Sequence, residues 1–223
     1  MKQSLLMQAC AKFFAGVILV GLLLFLPAGT IVFPKGWLLM TVLFLPMFIG
    51  GFIMWRKAPE LLRRRLKAKE EQAAQKNVIA LSGLMFLAGF LLAGLNFRFR
   101  WSVLPSVVVA AACVVFLIGY SFFALVLRQN AYLSRTIQVE KGQTVVDTGL
   151  YGVVRHPMYT ATLLMFLSMP LILGSWQAFL VFLAYPVLIV KRIKNEEAVL
   201  NQELQGYDAY CRKIRYRLIP YIW

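Results

Sequence analysis

Residues 103–127 read VLPSVVVAAACVVFLIGYSFFALVL, an apolar run that contains no charged side chain. Three further runs of the same kind occupy residues 13–33, 36–55 and 78–96. About 20 consecutive apolar residues are enough for a helix to cross the hydrocarbon core of a bilayer. The sequence therefore predicts an all-α, polytopic membrane helix bundle with about four full transmembrane helices.

Two shorter apolar runs, residues 160–173 and 175–190, follow later in the chain. They have 14 and 16 residues, so at about 1.5 Å of helical rise per residue each covers only about 21–24 Å. The hydrocarbon core is thicker, at about 30 Å. Because Gly174-Ser175 favours a turn, we predict a short C-terminal helical hairpin over residues 158–190. Its second helix is expected to continue out of the membrane through Glu203.

The formal net charge is +15, and the basic residues are unevenly distributed. Of the 24 Lys and Arg residues, 21 lie in the N-terminal segment or in residues 56–77, 128–157 and 191–223. Cytoplasmic segments of membrane proteins carry such an excess of basic residues. We therefore predict an integral, multi-pass protein with both termini in the cytoplasm, in the inner membrane of a bacterium or the endoplasmic reticulum of a eukaryote. This distribution accounts for the basic charge, and no nucleic-acid partner is predicted.

The connection of residues 56–77 is the most basic of these segments, with eight Lys and Arg residues. Leu61, Leu62, Leu66 and Ala73 give it a weak amphipathic pattern. Such a segment is typical of binding to anionic lipids at the headgroup level. A surface that recruits substrate is the alternative interpretation.

Cysteine and histidine usage argues against a metal centre. Cys10, Cys113 and Cys211 are scattered and His156 is the only histidine, so the ligand spacing of a metal site is missing. No metal is predicted. No apolar run carries a charged residue in its middle, which argues against an ion pump or a secondary transporter. The sequence does not indicate an oligomeric state.

Two polar clusters, residues 149–159 and 192–197, flank the predicted hairpin. Proline disfavours helical geometry in the residue before it and suits the first turn of a helix. We therefore expect a helix to begin at about Pro157, with His156 at its entrance and Arg155 just before it. The free N–H groups of that helix end would stabilise an anion, although a plain helix start is equally consistent with the pattern.

Arg192 and Glu196 are four residues apart, so they share one face of a helix. They could form a surface ion pair, or they could bind two opposite charges of a ligand. Four tyrosines flank the clusters, either as an interfacial aromatic belt or as a wall around a cationic ligand: Tyr151, Tyr159, Tyr207 and Tyr210.

Taken together, these residues resemble a known enzyme superfamily. The pattern runs through Gly149-Leu150-Tyr151, Arg155-His156-Pro157-Met158-Tyr159, Arg192, Glu196-Glu197, Leu200, Gly206-Tyr207, Tyr210, Arg212-Lys213 and Pro220. It is similar to the isoprenylcysteine carboxyl methyltransferase and phospholipid methyltransferase superfamily, whose members are integral membrane enzymes that use S-adenosylmethionine. The resemblance covers about residues 128–223. It implies a catalytic region there, with a cytoplasmic cofactor pocket, after an N-terminal transmembrane region of residues 1–127.

The resemblance also implies roles for individual residues. Arg192 would be catalytic and would lie near the reacting group of the acceptor. A small residue follows the motif tyrosine by two positions, and here it is Ala161 where the family often has glycine. The residues that would hold S-adenosylmethionine are Gln138, Gln143, Thr144, Val145, Val146, Tyr151, Arg155, His156, Pro157, Tyr159 and Glu196.

The chemistry of methyl transfer bears on the acceptor. S-adenosylmethionine is already activated, so its reaction mainly needs alignment and exclusion of water. A carboxylate acceptor needs no general base near neutral pH because its reference pKa is about 4, whereas an ammonium acceptor must first lose a proton. We therefore favour a lipophilic carboxylate that enters from the bilayer, such as a prenylated cysteine.

Other substrates and one other class of enzyme remain open. The acceptor could be a lipid, a small apolar acid or thiol, or the amine of a phospholipid. Membrane sterol reductases that use NADPH share a similar Arg-His-Pro-x-Tyr segment, but Met158 and Thr160-Ala161-Thr162 do not match the rest of their pattern.

Overall fold

The computed structural model describes residues 2–66, 70, 73–134, 136, 137, 139 and 142–223, with the backbone alone for residues 2, 73 and 74. Within these residues the fold is helical and contains no β-strand. The α-helices are α1 (Lys2–Ala28), α2 (Pro34–Lys57), α3 (Pro59–Leu66), α4 (Ala73–Phe99), α5 (Ser106–Gln129), α6 (Pro157–Ile172), α7 (Trp176–Phe182), α8 (Ala184–Glu203) and α9 (Tyr207–Lys213). The predicted all-α, polytopic helix bundle is confirmed.

Five described stretches are long and apolar enough to cross a membrane: Gln3–Ala28, Pro34–Lys57, Gln75–Phe99, Ser106–Gln129 and Trp176–Glu203. The first four are the predicted full spans. The fifth is the second arm of the predicted C-terminal hairpin together with its predicted continuation to Glu203, and its 28 residues comprise α7 and α8. Only the first arm, Pro157–Ile172, is short.

Proline placement explains the shape of the second arm. Pro186 lies in the first turn of α8, and its ring would clash with the carbonyl of Phe182 in a continuous helix. The chain accordingly breaks at Leu183, between α7 and α8. Beyond this break α8 runs to Glu203, as predicted. The first span ends earlier than its apolar run because Gly29 adopts a left-handed φ of 69°, which terminates a helix.

Close packing of α5 on α6 fixes the helix that carries the polar motif. A Cβ atom at Gly119 would lie only 3.0 Å from the carbonyl oxygen of Ala161, so the two backbones meet where both residues are small. The buried core joins the two predicted regions, because Leu24 and Phe116 belong to the same cluster as Met165 and Ile193. The division of the chain at residues 127 and 128 stays a prediction.

The basic connection after α2 packs on the segment that follows α5. Leu61 and Leu62 of α3 are buried in the protein. Arg64 donates a hydrogen bond to the carbonyl of Ala131 at 2.8 Å, and Arg65 donates one to the carbonyl of Ser134 at 3.3 Å. The buried leucines thus anchor α3 to the protein, whereas the predicted contact of residues 56–77 with anionic lipids stays a prediction.

Candidate functional site

A cavity of about 450 Å³ lies between α4, α6, α8, α9 and the described residues 130–134, 136, 137 and 143–146. Its volume falls in the range of small-molecule sites. The lining combines aromatic, charged and apolar side chains. It includes Arg65, Ile79, Ser82, Gly83, Phe86, Gln143, Thr144, Val145, Val146, Tyr151, Arg155, His156, Tyr159, Thr162, Phe166, Tyr185, Ile189, Arg192, Glu196, Leu200, Leu204, Tyr207 and Tyr210.

A chain of hydrogen bonds forms the polar centre of the cavity. Nε of Arg192 donates to the hydroxyl of Tyr159 at 2.9 Å, and this hydroxyl donates to Oε2 of Glu196 at 2.5 Å. Tyr159 lies in the first turn of α6, whereas Arg192 and Glu196 lie one turn apart on α8. A phenol from the neighbouring helix therefore connects the basic and the acidic side chain, and all three face the cavity.

A second charged cluster lies beside the first and is buried. The carboxylate of Glu197, with the residue only 6% exposed, accepts contacts from Nε of Arg155 at 3.3 Å, Nε2 of His156 at 3.1 Å and Nε of Arg217 at 2.8 Å. A buried carboxylate is tolerated only with such partners. Glu197 therefore holds the Arg-His-Pro motif to α8 and to the C-terminal segment.

The C-terminal segment also fixes the backbone of the motif. The amide groups of Arg155 and His156 donate to the carbonyls of Tyr216 and Arg217, both at 2.9 Å. The hydroxyl of Thr160 donates to the carbonyl of Leu218 at 2.9 Å. The start of α6 at Pro157, with His156 before it, agrees with the prediction. Binding of an anion at this helix start stays a prediction.

The tyrosines near α9 form a wall of the cavity and not a lipid-facing belt. Tyr151, Tyr207 and Tyr210 are buried and line the cavity. The hydroxyl of Tyr210 donates to the carbonyl of Tyr151 at 2.8 Å, which ties α9 to the short 3₁₀ turn Gly149–Gly152. Burial raises the pKa of all three phenols above their usual value. Their hydroxyls stay protonated at neutral pH and can donate hydrogen bonds.

Most of the residues predicted for the site line this cavity. They are Gln143, Thr144, Val145, Val146, Tyr151, Arg155, His156, Tyr159, Arg192 and Glu196. Pro157 does not line it, because it is fully buried at the beginning of α6. Gln138 lies outside the described residues. The binding roles given to these side chains remain predictions.

Several lining residues could not be predicted from the sequence. Ile79, Ser82, Gly83 and Phe86 lie in an apolar run with no distinguishing signature, and only their spacing of three and four residues places them on one face of α4. Arg65 lies in the basic connection among other arginines. Among the described residues, no group of three or more His, Cys, Asp or Glu side chains could hold a metal ion.

The helix bundle defines a multi-pass membrane protein, and its cavity has the volume of a small-molecule site. Residues 107–202 match the model of the isoprenylcysteine carboxyl methyltransferase (ICMT) family, and the predicted resemblance is confirmed over these residues. The matched region contains Tyr159, Arg192 and Glu196.

Delta(14)-sterol reductase TM7SF2 of Mus musculus is also similar to this chain. The two are 32% identical over 91 residues, which make up 40% of this chain and 22% of the reductase. The chain therefore matches only about a fifth of the length of that relative.

Proposed function

We propose that the protein is a membrane-bound, S-adenosylmethionine-dependent methyltransferase that acts on a lipophilic acceptor. The observation that carries this proposal is the continuity of one cavity from an aromatic chamber near α9 to an apolar end at α4. The Tyr159, Arg192 and Glu196 side chains lie between these two ends. A polar cofactor and an apolar acceptor could therefore meet at one charged centre.

The apolar end extends to the surface of the transmembrane helices. Ile79 and Gly83 of α4 line the cavity and are also exposed on the outside of the bundle. Phe86, Phe166 and Ile189 continue this apolar lining toward the interior. An acceptor with a hydrocarbon chain could enter here from the bilayer, with its polar end toward Arg192.

The polar centre fits the charges of S-adenosylmethionine. Glu196 lines the cavity and accepts a hydrogen bond from the Tyr159 hydroxyl, so its side chain can bind the ammonium group of the cofactor through a charge-assisted hydrogen bond. When bound, the cofactor supplies an activated methyl group. The protein then has to align the acceptor and exclude water, and the buried tyrosine wall serves the second purpose.

Arg192 favours a carboxylate acceptor within this proposal. A guanidinium can hold a carboxylate through two parallel hydrogen bonds, and a carboxylate needs no base before methylation. A prenylated cysteine, a lipid acid or a small apolar acid has this chemistry. Methylation of a thiol or of a phospholipid amine is the alternative, and Glu196 would then have to accept the proton. The cytoplasmic orientation of both termini is part of the same proposal.

A second candidate function is an NADPH-dependent reductase of the sterol type, which the similarity to a named sterol reductase favours. The two functions differ in the cofactor. Thermal unfolding of the purified protein in detergent can separate them, because a ligand that binds the native state raises its unfolding temperature. We expect stabilisation by S-adenosylhomocysteine and none by NADPH. The opposite pattern would support the reductase and contradict the methyltransferase.

Glu196→Gln should weaken the binding of S-adenosylhomocysteine about 10- to 100-fold, because it removes one charge-assisted hydrogen bond of about 1.5–3 kcal/mol. Isothermal titration calorimetry on the purified protein measures this change. Glu203→Gln is the matched control, since Glu203 ends the same helix and is exposed. If the Glu196→Gln protein is folded and binds within twofold of wild type, Glu196 does not contact the cofactor.

Gly83→Phe should lower methyl transfer to a long-chain acceptor about tenfold or more, because the new ring would fill the apolar end of the cavity and displace the acceptor. A side chain at Gly83 meets open space, as does one at Gly51 on α2. Gly51→Phe is therefore the control for adding a phenylalanine to a transmembrane helix. The variants should bind S-adenosylhomocysteine equally. Equal methyl transfer by both variants would place the acceptor entrance elsewhere.

A further inference from the structure

Exposed apolar side chains are grouped in the turn of residues 218–223, which lies after α9. Ile219, Tyr221 and Ile222 are 46%, 87% and 77% exposed, and Pro220 between them is exposed as well. Tyr221 has a left-handed φ of 66°, a conformation that a bulky residue rarely adopts. A group of exposed apolar side chains outside the membrane spans is typical of a binding surface.

The backbone of the turn is closed by hydrogen bonds and does not depend on the exposed side chains. The amide groups of Arg217, Leu218 and Ile219 donate to the main-chain oxygen of Trp223 at 2.9, 2.9 and 3.1 Å. The amide of Trp223 donates in turn to the carbonyl of Ile219 at 3.1 Å. The exposure of the apolar side chains is therefore a property of a folded turn.

Both ends of the turn reach the core of the transmembrane bundle, which fixes its level relative to the bilayer. Leu218 is buried in the core cluster that contains Leu24 of α1, and Trp223 packs against that cluster. The hydroxyl of Thr160 donates to the carbonyl of Leu218 at 2.9 Å, and Thr160 is the first residue of the apolar run 160–173. The turn thus lies where α6 enters the bilayer, at the boundary between headgroups and hydrocarbon.

The composition around the turn suits this boundary. Residues 209–223 contain four basic side chains and no acidic one. Arg212 and Arg215 are exposed, and an anionic bilayer surface attracts such residues. Tyrosine is enriched at the membrane interface, because its ring has an apolar body and a polar hydroxyl. A soluble protein would have to displace lipid to reach apolar side chains at this level.

We propose that residues 218–223 form an interfacial anchor, whose exposed apolar side chains insert into the boundary region of the bilayer. The anchor is connected to the site, because Nε of Arg217 donates to Oε2 of Glu197 at 2.8 Å. Cζ of Arg217 also lies 5.3 Å from the ring centroid of Trp223. Contact with lipid therefore holds the turn that fixes the Arg-His-Pro motif. The inference does not depend on which reaction the protein catalyses.

Spin labelling at residue 222 tests the anchor. Ile222→Cys is made in the whole chain with Cys10, Cys113 and Cys211 replaced by alanine, labelled with a nitroxide and reconstituted into phospholipid nanodiscs. Electron paramagnetic resonance then measures collisions of the nitroxide with oxygen, which concentrates in hydrocarbon, and with a water-soluble nickel chelate. A label that inserts into the bilayer boundary collides more with oxygen and less with the chelate.

Two positions on α8 calibrate the ratio of oxygen to chelate collisions. Val187→Cys reports lipid, because Val187 is 70% exposed within the apolar run 175–190. Glu203→Cys reports water, because Glu203 is exposed and lies about 20 Å along the helix beyond the end of that run. We expect the ratio for Ile222→Cys to exceed that for Glu203→Cys by about threefold or more and to approach that for Val187→Cys.

Two other results would overturn the inference. A ratio for Ile222→Cys equal to that for Glu203→Cys would place the turn in water. Low accessibility to both reagents would show that protein, such as a second copy of the chain, covers the turn. Tyr221→Cys should give the same ratio as Ile222→Cys and replaces it if that variant does not fold. None of these results bears on the proposed methyl transfer, which the cofactor and activity measurements test separately.

Discussion

Glu197→Ala should lower the free energy of unfolding by about 3–5 kcal/mol, the usual effect of removing one partner of a buried ion pair. Three cationic or protonatable groups converge on this carboxylate, and two of them, Arg155 and His156, are buried with it. Without Glu197 these groups would remain in the protein interior without their counter-charge. Arg217 is about one-third exposed, with a side-chain accessibility of 32%, so water would compensate for most of its loss.

Unfolding of the purified protein in detergent measures the effect, with Glu203→Ala as the control on the same helix. Glu203 is exposed, and we expect its replacement to change stability by less than about 0.5 kcal/mol. Glu197→Ala should also weaken binding of S-adenosylhomocysteine, because His156 and Arg155 line the cavity and would lose their fixed positions. A Glu197→Ala protein as stable as the control would show that the buried cluster does not hold the motif.

Arg192→Lys should lower methyl transfer by about tenfold or more while cofactor affinity stays nearly unchanged. Lysine keeps the positive charge but loses the planar fork that can hold a carboxylate in two parallel hydrogen bonds. It also loses the Nε group that donates to the Tyr159 hydroxyl at 2.9 Å. A displacement of the acceptor by about 1 Å is enough for a loss of this size.

Single-turnover methyl transfer and calorimetry with S-adenosylhomocysteine separate the two effects of this variant. Lys194→Arg on the exposed side of α8 is the control. It should leave the rate of methyl transfer and the affinity for S-adenosylhomocysteine unchanged. Loss of cofactor binding in Arg192→Lys would assign Arg192 to the carboxylate of the cofactor. If neither quantity changes, Arg192, Tyr159 and Glu196 form a structural cluster and the charged centre has no catalytic role.

The membrane spans could be predicted from the sequence because a helix in lipid must satisfy its own backbone hydrogen bonds and show lipid an apolar surface. The apolar part of the second hairpin arm, residues 175–190, is too short to cross a bilayer by itself. The helix nevertheless continues through charged residues to Glu203, as predicted. An apolar run in the sequence therefore indicates which part of a helix faces lipid, and does not give the full length of the helix.

The charged centre could be predicted in part. Arg192 and Glu196 share a helix face by their spacing, and the family resemblance added Tyr159. Glu197 points to a different side of α8, and its partners Arg155, His156 and Arg217 all lie far from it in the sequence, Arg217 after α9. No local pattern indicates a contact of that kind. The apolar residues of α4 were missed because a cavity wall inside a membrane protein has the same composition as its core.

The most direct test of the account is transfer of a tritium-labelled methyl group from S-adenosylmethionine to acceptors in membranes that contain the protein. The acceptors are a prenylcysteine mimic and a membrane lipid extract, and the product is counted after extraction into organic solvent. We expect labelled product with wild type and Glu203→Gln, and a loss of about tenfold or more with Glu196→Gln and Arg192→Lys. Absence of labelled product from wild type with every acceptor, together with stabilisation by NADPH, would contradict it.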